Sequence, residues 1–411
     1  MELRELLKRL QELNGTDLHV IVGLPPAVRV NDELLPLREL GRPTPEQIRD
    51  MVYPILEKDE IERFERDAHA RYELDFARGI ADLGRFRFNL CKQRGSLCLT
   101  IRALSGTIPT LESLGMPASV KEFTLSRRGL ILVTGPSGSG RSTTLASLMD
   151  AINHSRPVRI MTIEDPVEYF ITSDRAYVTQ REIGGGADSL SFENAIWYAR
   201  RQNIDILMIG HLSGYESMRR ALELAEMGLL VFACMSTLSA VQTLARFIEC
   251  FPPEQQPQAV SQISAYLVGI IAQILLPSAT RQKRVLACEV MRLNALIRSE
   301  VRQNRLESIY GIIQQSASEG MQTMDQSLID LARQKMIDYN AARPYIREDS
   351  THRTIAQLSG EARPGGAMAA GFGPQRVTGI TGGLQPSPPS EPQPRRRLGS
   401  GLIPPWEKQE R

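Results

Sequence analysis

The stretch "VTGPSGSGRSTTL", Val133 to Leu145, decides the reading of this chain. An apolar run, Gly129-Leu-Ile-Leu-Val133, leads into it, and a helical pattern beginning near Ser142 leads out. The turn between them fits the phosphate-binding pattern G-x-x-x-x-G-K-[ST] at every fixed position except one. Gly135, Gly138 and Gly140 let backbone N–H groups turn inward around phosphate oxygens, and the start of the following helix adds partial positive charge. Gly135, Pro136, Ser137, Gly138, Ser139, Gly140, Arg141, Ser142 and Thr143 are therefore the expected nucleotide-binding residues, with the Ser142 hydroxyl as the expected Mg²⁺ ligand. Arg141 stands where the pattern has lysine. A lysine there is a compact ammonium on a thin stem, whereas arginine keeps the charge but brings a bulky planar fork into a tight loop.

Working outward, 411 residues are enough for two folded domains with extensions. A hydrophobic share of 42% and a charged share of 23% are those of an ordinary globular protein. A net charge of +2 gives no global argument for nucleic acid. The five cysteines, Cys91, Cys98, Cys234, Cys250 and Cys288, include no CxxC pair, so reduced thiols and no thiolate metal site are expected. The start "MELRELLKRLQELNG" is charged and amphipathic, unlike a signal peptide. No apolar run is long enough to cross a bilayer; Ala265 to Pro277 is apolar but short, and reads as a buried helix.

The pattern divides into three parts. Residues 1–107 mix helix-like and strand-like stretches. "DLHVIVGLPPAVRVND" reads as a strand, a turn at Gly23 to Pro26 and a second strand; "RFRFNLCKQRGSLCLTIR" reads as two strands around Lys92 to Gly95. Residues 108–348 repeat strand, loop and helix, which predicts a mostly parallel sheet covered by helices. Residues 349–411 are rich in Gly, Pro and Arg and are expected to be a disordered tail.

Beyond the loop, "TIEDPVEY" (Thr162–Tyr169), "QRE" (Gln180–Glu182), "LIR" (Leu296–Arg298) and "MQTMD" (Met321–Asp325) complete a set of landmarks. With these, the chain from Met1 to Glu348 resembles the PilT/PilU-type pilus-retraction ATPases of the bacterial secretion ATPase superfamily. The resemblance implies a small PAS-like α+β domain followed by a RecA-like P-loop domain, an α/β fold overall. It implies ATP/ADP and Mg²⁺ as ligands, and a hexameric ring in the cytoplasm, peripheral to the inner membrane beneath a platform protein of the pilus. It also implies Glu164 as the catalytic carboxylate, and nucleotide contacts from Arg94 and Arg102 of the first domain.

The departures from that family's pattern fall on the chemistry. The apolar strand "DILMIG" (Asp205–Gly210) should be followed by glutamate, and here His211 follows. Neutral imidazole offers no anionic oxygen to a hard cation. Ser213 and Gly214 stand where the family has Arg and Asp, and Leu229 and Ser236 where it has two histidines. Each such group can be worth on the order of a hundredfold to a thousandfold in phosphoryl transfer. The expected function is a ring subunit of the retraction machinery with weak nucleotide binding and impaired or lost hydrolysis, as a homo-hexamer or in a mixed hexamer with an active PilT-type paralogue. An active motor with an altered site and a nucleotide sensor are the alternatives. No nucleic acid partner is expected.

Overall fold

A computed structural model describes residues 1–30, 33–66, 73–104, 106–184 and 188–360. Two sheets organise them. The first is antiparallel, in the order β3-β2-β1-β6-β5-β4. Its strands are β1 (Asp17–Ile21), β2 (Ala27–Val30), β3 (Glu33–Pro36), β4 (Glu73–Ile80), β5 (Gly84–Gln93) and β6 (Ser96–Leu104). The turn joining β5 to β6 is Arg94-Gly95, both at positive φ (51° and 80°), the geometry that matches the natural twist of a two-residue hairpin. One face of this sheet is apolar. The helix Leu3–Glu12 buries Leu6, Leu7 and Leu10 against it, and the helix Pro45–Val52, started by a Thr44–Gln47 capping box, adds Ile48 and Val52.

The second sheet has the order β13-β12-β7-β11-β10-β8-β9. Its strands are β7 (Gly129–Thr134), β8 (Arg159–Glu164), β9 (Tyr177–Glu182), β10 (Ile206–Ile209), β11 (Leu230–Met235), β12 (Leu267–Pro277) and β13 (Arg284–Arg292). From β12 to β9 the neighbours run parallel, and β13 is antiparallel to β12. Every residue of β7, β10 and β11 is buried. Helices cover both faces, so these strands read as continuous apolar runs rather than as alternation. Parallel pairing also places the carboxyl ends of β7, β8, β10 and β11 along one edge, with Met235 opposite Thr134 and Ile209 opposite Ile163. That edge is where open α/β sheets bind ligands.

The structure corrects two expectations. Leu267–Pro277 is the strand β12, not a buried helix. A short apolar run buried on both sides has no periodicity to separate the two states. What decides is the backbone: a Cβ on Gly269 would lie 2.5 Å from the Met291 carbonyl and from the Phe123 ring, so the chain passes here as a strand in close contact with its neighbours. The second correction concerns the start of the tail. Asp349–Leu358 is a helix whose Ile355 is fully buried with Ile274, Ala287 and Leu328. The buried Asp325 accepts bonds from the Arg347 and Glu348 amides (3.0 and 2.9 Å), leading the chain into this helix. The remainder of the expected tail, residues 361–411, lies outside the described residues.

Candidate functional site

The helix Arg141–Ser155 begins directly after Gly140, which sits at φ 85°. Its first-turn amides have no acceptor within the helix, so they point donors toward the loop. Gly135 is required by packing: a Cβ there would stand 2.3 Å from the Gln273 carbonyl and 2.4 Å from Ser139 Oγ. Gln273 on β12 donates through Nε2 to the Ser139 carbonyl at 2.7 Å and so fixes the underside of the loop. Pro136 accepts from the Ser139 amide (3.2 Å), while Ser137 and Gly138 form the exposed crown. Thr143 Oγ1 lies 3.0 Å from the Tyr169 hydroxyl, joining the loop helix to the segment after β8. This cradle, with donors at a helix start and the Ser142 hydroxyl in the first turn, fits a polyphosphate.

Arg141 points elsewhere. Its Nη1 donates to the Met235 carbonyl and to Ser236 Oγ, both at 2.7 Å, at the carboxyl end of β11. Two of the positions at which the sequence departs from the family pattern, Arg141 and Ser236, are thus bonded to each other.

Glu164 ends β8 and is buried. Its Oε1 accepts from Thr162 Oγ1 (2.6 Å) and Gln180 Nε2 (3.2 Å). Burial pushes its carboxyl up to about 7, with the two donors opposing that shift. A carboxylate held near neutrality is suited to taking a proton from water. Asp165 is also raised, chiefly by burial, with the nearby Arg87 and His211 pulling it back.

His211 follows β10 and is exposed, its ring edge-on to Phe192 at 6.2 Å between centroids. The loop it sits on is tied down by bonds from the Gly210 amide to the Ile163 carbonyl and from the Leu212 amide to the Cys234 carbonyl, both 2.8 Å. His211, Ser213, Gly214 and Ser236 line one cavity of about 430 Å³ with Met235, Arg246 and Glu249.

The comparisons with known proteins agree on the family. The model of the Type II/IV secretion system protein family matches residues 84–359. The Pseudomonas aeruginosa type IV pilus ATPase PilU is 33% identical over 362 residues, 88% of this chain and 93% of PilU. The type IV pilus retraction ATPase PilT of the same organism is 35% identical over 345 residues, 84% of this chain and 97% of PilT. A crystal structure of the pilus retraction motor PilT with bound ADP superposes with a TM-score of 0.77 at 37% identity, covering 85% of this chain and 98% of that one. This chain belongs to the PilT/PilU family of type IV pilus retraction ATPases.

Within this PilT/PilU-family chain, the structure brings together only part of the expected site. The phosphate loop, Glu164, His211 and Ser236 meet at the carboxyl edge of the sheet. Leu229 does not. It precedes β11, where its carbonyl accepts from the Gly129 amide at the start of β7. A strand of this length spans about 20 Å, so Leu229 lies at the opposite edge from Ser236. Arg102 is engaged by Asp17 (2.8 Å) on the first sheet, and Arg94 stands exposed at the tip of its hairpin. Arg85 of the same sheet bonds to the segment after Glu164. It donates to the Val167 carbonyl (3.0 Å) and to Glu182 (3.2 Å), and packs over Phe170 at 4.4 Å. Sequence reading also missed Gln273, which lies in the stretch mistaken for a helix. Its polar side chain inside an apolar run was the available signal.

Proposed function

We propose that this chain is a ring subunit of the type IV pilus retraction machinery that holds ATP or ADP weakly and hydrolyses ATP slowly or not at all. It works in the cytoplasm against the inner-membrane platform of the pilus, in a hexamer of its own or mixed with an active PilT-type paralogue. Family membership supports the retraction role. The observation that carries the catalytic part is the Arg141 guanidinium bonded to Met235 and Ser236. A loop cation held on the end of β11 has to leave those bonds before it can serve the phosphates. Bound Mg²⁺ would neutralise phosphate charge; Ser142 is the residue to hold it, and His211 is a poor substitute for a strand-end carboxylate. The residues present retain Glu164 as proton acceptor and the loop amides as phosphate donors.

A second reading, an active motor with an altered site, is favoured by Glu164 itself. Its carboxyl is buried, doubly hydrogen-bonded and pushed up to about 7, a state suited to catalysis at neutral pH.

The deciding experiment measures Mg²⁺-dependent ATP turnover by the purified protein, alone and mixed with an active PilT-type paralogue. Fluorescent ADP binding is followed in parallel, with Gly140→Val as the control that strains the loop. Under the first reading, ADP binding saturates, Gly140→Val weakens it, turnover alone is at background, and the two chains co-purify. A stable ring that hydrolyses ATP unaided and never joins the paralogue replaces the first reading with the second.

A further inference from the structure

We propose that the Met235 carbonyl and the Ser236 hydroxyl form a resting berth for the P-loop cation, from which incoming phosphate must displace Arg141, so that Ser236 sets nucleotide affinity. The inference rests on the reading that the loop holds nucleotide. Both bonds come from one nitrogen, Nη1, which carries two hydrogens, and each is 2.7 Å long. That nitrogen is therefore fully engaged by two neutral oxygens. A phosphate oxygen is the stronger acceptor, but it gains an Nη1 hydrogen only after one of these bonds is broken, and the bond to Ser236 is the one a substitution can remove.

The berth itself is built to stay still. Met235 is buried and paired opposite Thr134 in the sheet. Just beyond it, Thr237 Oγ1 lies 2.6 Å from Thr243 Oγ1, and Ser239 caps the helix Ala240–Glu249. The buried Glu289 accepts from the Ala240 amide at 2.6 Å. Arg141, half-buried on a flexible stem, is the member that moves. Ser236 is exposed, and its hydroxyl has no part in the sheet, so its removal alters the berth and not the fold. A lysine in place of Arg141 has a shorter reach and a rotating ammonium, so it is not held by two fixed acceptors in the same way. Ser236 is accordingly a positioning residue that acts through Arg141.

The test is a double-mutant cycle on ADP affinity in the full chain. Ser236→Ala should tighten ADP binding about three- to tenfold, the range for one ordinary intramolecular hydrogen bond. Ser236→Thr keeps a hydroxyl and should bind like the parent protein. In an Arg141→Ala background, Ser236→Ala should change affinity by less than twofold, because the cation whose release it eases is gone. The same change in both backgrounds overturns the proposal, since Ser236 would then act independently of Arg141. Weaker binding on Ser236→Ala in the parent background also overturns it, since the serine would then support the bound state. Absence of saturable ADP binding in every variant removes the nucleotide reading itself, whereas binding without coupling removes only the berth.

Discussion

Arg85 and Glu182 join the two sheets: Nη2 of the first stands 3.2 Å from Oε2 of the second, and both side chains are mostly buried. The same Glu182 oxygen accepts from the Val167 amide at 3.0 Å, while Arg85 Nε donates to the Val167 carbonyl at 3.0 Å. The loop after β8, which follows Glu164, is thus clamped from above by β5 and from the side by β9. Burial holds the Arg85 guanidinium below its usual range, and Glu182 offsets part of that cost.

Breaking this clamp from either side should be costly. Arg85→Ala and Glu182→Ala are each expected to destabilise by about 2 kcal/mol, because each leaves a mostly buried partner unpaired. The double variant should cost about 1 kcal/mol less than the sum of the two. Urea unfolding of the four proteins checks this; strict additivity would mean that the contact carries no coupling.

The Glu164 carboxyl makes stability depend on pH. Its folded value is raised to about 7 from an unfolded value of 4.5, so the folded state retains a proton that the unfolded state has released. Stability from this group is fully present below pH 4.5, falls as pH rises toward 7, and is then level. The full span is about 3 kcal/mol at 1.36 kcal/mol per pH unit. Glu164→Gln keeps an oxygen to accept from Thr162 and Gln180 but does not ionise. Melting temperatures recorded from pH 5 to 8 should therefore decline more steeply in the parent protein than in Glu164→Gln. Parallel curves would show that the carboxyl titrates near its ordinary value.

Repair of the site offers a sharper test of its chemistry. Arg141→Lys withdraws the fork from Met235 and Ser236, and His211→Glu restores an anionic oxygen at the end of β10. The two groups act on one phosphate–Mg²⁺ unit, so together they should raise ATP turnover by more than the product of the single effects, on the order of tenfold or more beyond it. Steady-state turnover of the two single variants and the double variant decides. A double variant no faster than the better single one would place the limit elsewhere, for example at Ser213, Gly214 or the subunit interface.

The helix Asp349–Leu358 should behave as part of the folded body. Ile355→Ala empties a fully buried position and is expected to cost about 2–4 kcal/mol. A chain ending after Glu348 should melt several degrees lower than one ending after Gly360, because it lacks this helix. Equal melting of the two truncations would show that the helix contributes nothing to the core.

The sequence by itself determined the phosphate loop, the parallel character of the second sheet and the family. Each rests on local pattern: a glycine spacing in a strand–turn–helix context, a repeat of strand, loop and helix that a parallel sheet covered by helices satisfies, and short landmarks read in order. Only the tertiary structure decided that Leu267–Pro277 is a strand, because an apolar run buried on all sides has no period and its state is set by the neighbours at Gly269. Only the tertiary structure separated Leu229 from Ser236, since two positions bracketing one strand look adjacent in sequence yet lie at opposite edges of a sheet. The same holds for Arg85, which no spacing distinguishes from Arg87, Arg94 or Arg102 until the two sheets are brought together. The bond between Arg141 and Ser236 joins residues far apart in the chain. It exists because parallel pairing of β7 with β11 sets their carboxyl ends side by side, a long-range register that local sequence does not encode.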